Sequence, residues 1–269
     1  MPLLIVGSVL LVMALAYLFL IKTAPVKRAD IEKYGKRFAH RGLWDADTPE
    51  NSLAAFEKAV NAGYGIEFDI HKTRDGHVVV FHDDTLMRMC GVEGRIEDKT
   101  LDELRALRLL GTEQGIPTLE ELLALVDGRV PLLVELKGTA FDTSLCPVAN
   151  EILSAYKGDY IIESFNPMLV RWYRKNRPDV VRGQLFCNLL KEKTGNKLFY
   201  VLITVLATNV LARPHFLARG LDSAHNPALL LCKKLFKAPV YVWTVREPEQ
   251  IPKDNRDGII FEGFIPKES

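Results

Sequence analysis

Between the apolar runs Gly65–Ile70 and Val78–Phe81 lies only the segment HKTRDGH, with an Asp75-Gly76 turn signal inside it. A parallel crossover takes a dozen residues or more, so these two runs must pair as an antiparallel hairpin. Elsewhere strand-like runs alternate with longer segments of helical period. The other strand candidates are Phe38–His40, Leu132–Leu136, Tyr160–Ser164, Val180–Leu185, Gly220–Ala224, Val240–Val245 and Gly258–Phe261. Setting the hairpin return aside leaves eight strands in β/α order, the count of a (β/α)8 barrel. The expected fold is therefore an α/β TIM barrel, with a β-hairpin and a small insertion, residues 83 to about 116, after strand 2. An open doubly wound sheet is the alternative.

Helical patterns cover Asn51–Ala62, Leu101–Leu109, Thr118–Val126, Pro147–Tyr156 and Pro167–Lys175. Thr118 with Glu121 forms a capping-box signature, and Gly63 and Gly128 stand where helices should stop. With 35 Lys and Arg against 34 Asp and Glu, the chain lacks the long-range attraction to nucleic acid of a basic domain. No nucleic-acid partner is expected.

From Leu3 to Ile21 the chain carries no charge, and at about 1.5 Å per residue the run nearly matches a hydrocarbon core of roughly 30 Å. It reads as a transmembrane helix. Ala14-Leu15-Ala16 has the small-residue spacing of a signal-peptide cleavage site, but no Lys or Arg precedes the run. A surface helix of a soluble domain would need a polar face. Lys22, Lys27, Arg28, Lys33, Lys36 and Arg37 follow, against Asp30 and Glu32, so the positive-inside rule places the remainder in the cytoplasm. Dispersed Cys90, Cys146, Cys187 and Cys232 suit reduced thiols there. The expected organisation is a transmembrane helix over 3–21, a basic juxtamembrane linker over 22–36 and the barrel over 37–269.

In such a barrel the chemistry gathers where strands end. His40 and Arg41 end the first strand. Glu67 and Asp69 end the second, two apart and therefore on one face. His82 follows the hairpin return, and Glu135 and Lys137 end the next strand. Glu67, Asp69 and Glu135 form an all-oxygen trio suited to Mg2+ or Ca2+. Singly, each is an ordinary salt-bridge partner. Together they repel one another, so a metal or the Arg41 and Lys137 charges must compensate. Two histidines beside a divalent ion and two cations point to acid–base work on a phosphorylated substrate.

These residues sit in AHRG (39–42), TPENSLAAFEKAVNAGYGIEFDIHKTRDGHVVVFHDDTL (48–86), GRIEDKT (94–100), VELK (134–137), SFNP (164–167) and VWTV (242–245). In order and spacing, over about residues 38–260, the chain resembles the glycerophosphodiester phosphodiesterase family, as a membrane-anchored member of bacterial type. The resemblance implies a metal-dependent barrel hydrolase that cleaves glycerophosphodiesters to sn-glycerol 3-phosphate and an alcohol, in lipid metabolism. It implies His40 and His82 as the acid–base pair, Glu67, Asp69 and Glu135 as ligands of one divalent cation, and Arg41 and Lys137 as phosphate contacts. Glu50 is implied as a supporting residue and Trp243 as an aromatic near the glycerol. Water and the substrate's own hydroxyl both remain open as nucleophile.

Two positions depart from the family's habit. Arg246 follows VWTV where Asn is common, and Phe261-Glu262 replaces Thr-Asp. Both are expected at the rim, affecting substrate range more than catalysis. The apolar stretch 198–211 is too short to span a bilayer. It reads either as a buried barrel helix or as a segment dipping into lipid, with Lys191, Lys193, Lys197 and Arg213 facing headgroups. The second case favours a lysophospholipase-D-like action on lysophospholipids. A catalytically silent membrane receptor or regulator is the rival of another class, and the intact site set opposes it.

Overall fold

The computed structural model describes residues 2–139, 141–191, 196–253 and 258–266. Its strands are β1 Arg37–His40, β2 Gly65–Lys72, β3 Val78–Val80, β4 Leu132–Leu136, β5 Tyr160–Ser164, β6 Arg182–Phe186, β7 Phe216–Gly220, β8 Val240–Val245 and β9 Gly258–Phe261. The sheet order is β1-β9-β8-β7-β6-β5-β4-β2-β3, and β1 also pairs with β2, which closes a ring of eight. Ala39 lies opposite Ile66 on one side and Phe261 on the other, both in parallel register. β3 stands outside the ring, antiparallel to the end of β2 with Val80 opposite Ile70. The fold is a TIM barrel with the expected hairpin, and closure removes the open-sheet alternative.

Two elements differ from the sequence expectation. The seventh barrel strand runs Phe216–Gly220, while Leu221–Ser223 is a 3-10 turn. Asp222 and Ser223 explain the shift, because the Asp222 carboxylate accepts the Ser223 hydroxyl and the Asn188 backbone N–H, a turn arrangement that competes with a strand. The helix expected over 101–109 stops at Arg105, and the chain folds back through Leu109 N–H to Gln114 O. Within the insertion, Leu86, Met89, Ile96, Leu104, Leu109 and Ile116 bury a small core against Val79 and Phe81 of the hairpin.

The barrel interior is layered by the two-residue pleat. Near the strand N-termini it is apolar, built from Phe38, Leu133, Ile161, Phe216, Tyr241 and Ile260. Gly183 and Gly258 leave room for this layer, since a Cβ at either would lie 2.2 Å from the ring of Phe216 or Tyr241. Two residues further along β1, β4 and β5, the inward positions become His40, Glu135 and Glu163. One strand thus supplies core at one end and chemistry at the other.

Residues 22–36, expected as a linker, run beneath the barrel. Ile31 and Tyr34 are buried in the apolar layer and the Tyr241 hydroxyl donates to Gly35 O. Above them, the helix Pro2–Ile21 lies against the barrel wall only at its C-terminal end. Tyr17 donates to Val205 O at 3.1 Å, Asn209 to Ile21 O at 2.9 Å, and Arg213 to both Phe19 O and Lys22 O at 2.8 Å. Arg213 therefore caps the helix's free carbonyls, where a cation is favoured, instead of facing headgroups. Lys193 and the side chain of Lys191 lie outside the described residues.

Gly42, directly after His40 and Arg41, is both strained and tight: at φ +84° its added Cβ would lie 2.8 Å from the Ala55 backbone. Gly42→Ala should cost about 2–4 kcal/mol through backbone strain and overpacking. Calorimetry should show Tm falling by roughly 5–15 °C; an unchanged Tm would contradict the packing described.

Candidate active site

β1, β2 and β4 lie side by side and deliver most of the cluster. Asp69 sits opposite Glu135 in the β2–β4 register, and His40 opposite Glu67 in the β1–β2 register. Glu67, Asp69 and Glu135 are buried, and one carboxylate oxygen from each lies within 4.8 Å of the others. The Lys137 ammonium contacts Glu135 at 2.6 Å and Asp69 at 2.9 Å. Arg41 lies 2.7 Å from Glu50 and 3.6 Å from Asp69, and its backbone N–H donates to Glu67.

Crowding decides the protonation of the trio. Burial, then Asp69, Glu135 and Glu163, push the Glu67 carboxyl well above its usual range, and burial raises Glu135 against the pull of Lys137. Burial opposes ionisation of Asp69 too, but Lys137, His82 and Arg41 outweigh it and hold that carboxyl well below its usual range. The structure thus holds one firm carboxylate, Asp69, beside two carboxyls, Glu67 and Glu135, whose proton affinity is raised for want of positive charge. A divalent cation would supply that charge. Two oxygens on one ion, each at about 2.0–2.6 Å, stand no more than roughly 4–5 Å apart, and the trio meets that limit. Hard oxygen donors without a nearby thiolate fit Mg2+ or Ca2+.

Both histidines are oriented in the same manner. His40 Nδ1 is hydrogen-bonded to Glu262, which also pairs with Arg246 at 2.6 Å. His82 Nδ1 is 2.6 Å from Asp83, which Arg88 grips at 2.6 Å. Carboxylates only accept, so each Nδ1 carries the proton and each Nε2 is left for the site. Burial lowers the pKa of both rings, that of His82 to about 4, so both are neutral near pH 7.

Three participants escape the sequence reading. Glu262 was expected to act on substrate range from the rim; the structure instead makes it the partner of His40. Asn51 donates to Asp69 at 2.9 Å, while its neighbour Glu50 ties Arg41 to Arg88. Glu163 lies opposite Glu135 in the β4–β5 register and adds a fourth acid to the crowd. The signal for Glu163 was available, two residues beyond inward Ile161. Trp243 is half-buried and packs edge-on against Phe165 at 5.5 Å between ring centres.

The pattern of the glycerophosphoryl diester phosphodiesterase family matches residues 40–260. The chain belongs to this family. It is 35% identical over 168 residues to a glycerophosphodiester phosphodiesterase of Caldanaerobacter subterraneus, covering 57% of this chain and 68% of that protein. It is 25% identical over 249 residues to a rat lysophospholipase D, covering 80% of this chain and 78% of that one. A phosphodiesterase from Oleispira antarctica, solved with the product sn-glycerol 3-phosphate, superposes with a TM-score of 0.70 over 86% of this chain and 94% of its own. At 22% identity that likeness speaks for the barrel alone.

Mg2+ or Ca2+ at about a hundred times its dissociation constant should stabilise the protein by about 2.7 kcal/mol. The Tm rise should largely vanish when Glu67→Gln and Glu135→Gln are combined; an undiminished rise would put the ion elsewhere. Glu262→Gln should lower kcat about ten- to a hundredfold with little change in KM, because it disturbs His40 and not substrate contacts. A change confined to KM would return Glu262 to the rim role.

Proposed function

We propose that the protein uses this cluster to hydrolyse glycerophosphodiesters to sn-glycerol 3-phosphate and an alcohol, with His40 and His82 as the acid–base pair. The observation that carries the reading is the pair of neutral imidazoles, each fixed through Nδ1 by a carboxylate, flanking buried acids and two cations. Water adds across the phosphorus–oxygen ester bond. One ring accepts the proton of the attacking hydroxyl at its free Nε2, while the partner ring enters the step carrying a second proton at Nε2 and gives it to the departing alkoxide; passing the gained proton back to the partner resets the pair. Arg41 and Lys137 sit where the phosphate's negative charge needs to be offset. Glu67, Asp69 and Glu135 would hold the Mg2+ or Ca2+ ion, which supplies further charge stabilisation at the phosphoryl oxygens. Trp243 is assigned to the glycerol side of the site.

The helix Pro2–Ile21 is proposed as a single-pass anchor, with the barrel on the cytoplasmic side. Its segment Leu4–Ile21 is long and apolar enough to cross a bilayer and is almost wholly exposed. A second substrate class has a specific observation behind it. Exposed Leu198, Val201 and Leu202 follow β6 on the active-site end, and the rat relative is a lysophospholipase D. Lysophospholipids would use the same histidines and the same ion.

Purified protein assayed on glycerophosphocholine, glycerophosphoglycerol and lysophosphatidylcholine should release products in an EDTA-sensitive manner. His40→Ala and His82→Ala should each lower kcat by about 10^2- to 10^4-fold. Full activity in both variants would overturn the assignment.

A further inference from the structure

The N-terminal helix fixes which end of the barrel meets the bilayer. Chain order gives its direction along the wall. Val205, which accepts from Tyr17, lies just beyond the helix Lys197–Thr204. Thr204 O accepts from Asn226, the cap of the helix that leaves β7, and the Thr204 hydroxyl reaches Cys187, the residue after β6. Both Cys187 and Asn226 follow strand C-termini, so Tyr17 is level with the catalytic rim. Ile21 sits lower, with its carbonyl near Cys232 in the descending helix Pro227–Leu235. Ala24 is lower still, donating to Pro214 just before β7 begins. Followed backwards, residues 16 to 4 therefore continue past the rim on the side of the active site.

We infer that the catalytic mouth faces the membrane and that its rim beside Lys197–Thr204 is immersed in the headgroup and upper acyl layer. The inference rests on reading Pro2–Ile21 as the anchor. Leu4–Ile21 amounts to about 27 Å of helix at 1.5 Å per residue, close to the roughly 30 Å hydrocarbon core. Its last turn, Tyr17–Ile21, lies beside the barrel wall, so the helix uses its full apolar length only if the rim sinks by about 5–10 Å. Interfacial helices lie at that depth. The helix Lys197–Thr204 has the matching surface: Leu198, Val201 and Leu202, spaced i, i+3, i+4, point outward, while Ile203 points into the core. Exposed Leu190 extends the patch. Such an outward apolar face suits a lipid surface, not water. The occupant is the bilayer surface of the leaflet on the barrel's side, and the mouth draws glycerophosphodiester headgroups from it.

The test uses the full chain in phosphatidylcholine–phosphatidylglycerol vesicles. Leu198→Trp and Leu202→Trp are compared with the parent and with Lys175→Trp, which lies at the end of a descending barrel helix on the opposite side from the mouth. Acyl-brominated lipids should quench the added fluorescence at 198 and 202 by at least half, and leave that at 175 unchanged. Combined Leu198→Glu and Leu202→Glu should slow hydrolysis of vesicle-bound lysophospholipid about tenfold and leave soluble glycerophosphocholine untouched. Unquenched tryptophans at 198 and 202, quenching at 175, or equal losses on both substrates would overturn the inference. Alkaline carbonate releasing the protein from vesicles would overturn the anchor and the inference with it. Absent activity on the soluble substrate, with quenching intact, would overturn the catalytic reading alone.

Discussion

The structure turns on four carboxylic acids pointing into one end of a closed barrel. Glu67, Asp69, Glu135 and Glu163 are all buried, and desolvation heads the causes acting on each. Isolated buried carboxylates cost several kcal/mol apiece, so such a crowd persists only where positive charge or protons offset it. Lys137 and Arg41 neutralise Asp69 and only part of the remainder. The cluster thus offers three hard oxygen donors within 4.8 Å of one another, a set a divalent cation could occupy. The apolar floor of Phe38, Leu133, Ile161, Phe216, Tyr241 and Ile260 provides the rigid base that keeps the acids from spreading apart.

The histidines repeat one device on the two flanks of β2, His40 ending β1 and His82 following β3. In each, a carboxylate fixes Nδ1 and an arginine fixes the carboxylate: Glu262 and Arg246 for His40, Asp83 and Arg88 for His82. Arg88 also holds Glu50, which holds Arg41, so the insertion links His82 to the Arg41 guanidinium. This gives the insertion's small core a purpose beyond covering the hairpin, since the position of Arg88 depends on it. It also accounts for the two departures from the family's usual residues. Arg246 and Glu262 are ion-pair partners, so the second departure, which holds His40, is itself held by the first.

Contacts made locally were legible in the sequence; those made by closure were not. The hairpin, the eight-strand count, and the placement of Glu67 with Asp69 and Glu135 with Lys137 follow from spacing and pleat. The His82–Asp83 pair is between neighbours in sequence. The His40–Glu262 contact joins residues 222 apart, across the seam where β9 meets β1, and no periodicity reveals it. Asn51 was missed for another reason. In the PEN motif, Glu50 carries the conspicuous charge, yet its neighbour turns inward to Asp69 through a backbone at φ +55°. At 220–224 the apolar residues flanking Asp222-Ser223 give a strand pattern, but the Asp222 carboxylate's bonds to Ser223 and Asn188 make it a turn.

The N-terminal helix shows how one boundary changes the meaning of a charge pattern. Read linearly, the lysines after Ile21 form a collar against the membrane. In the fold, residues 22–36 pass beneath the barrel, with Tyr34 buried there, while the helix leaves from the opposite rim. Lys33 and Lys36, beside buried Tyr34 beneath the barrel, then lie below the catalytic rim by the height of the barrel, about 15–20 Å for strands of five or six residues. Over such a distance screened attraction to headgroups is small, because the Debye length is about 8 Å at physiological salt. Those charges can bias topology during insertion, but they do not hold the folded domain to the surface. Under the anchor proposal, that task falls to the docked last turn of the helix, capped by Arg213, and to the apolar rim beside it. If Pro2–Ile21 is the anchor proposed above, the same two features aim the buried acids at the lipid layer.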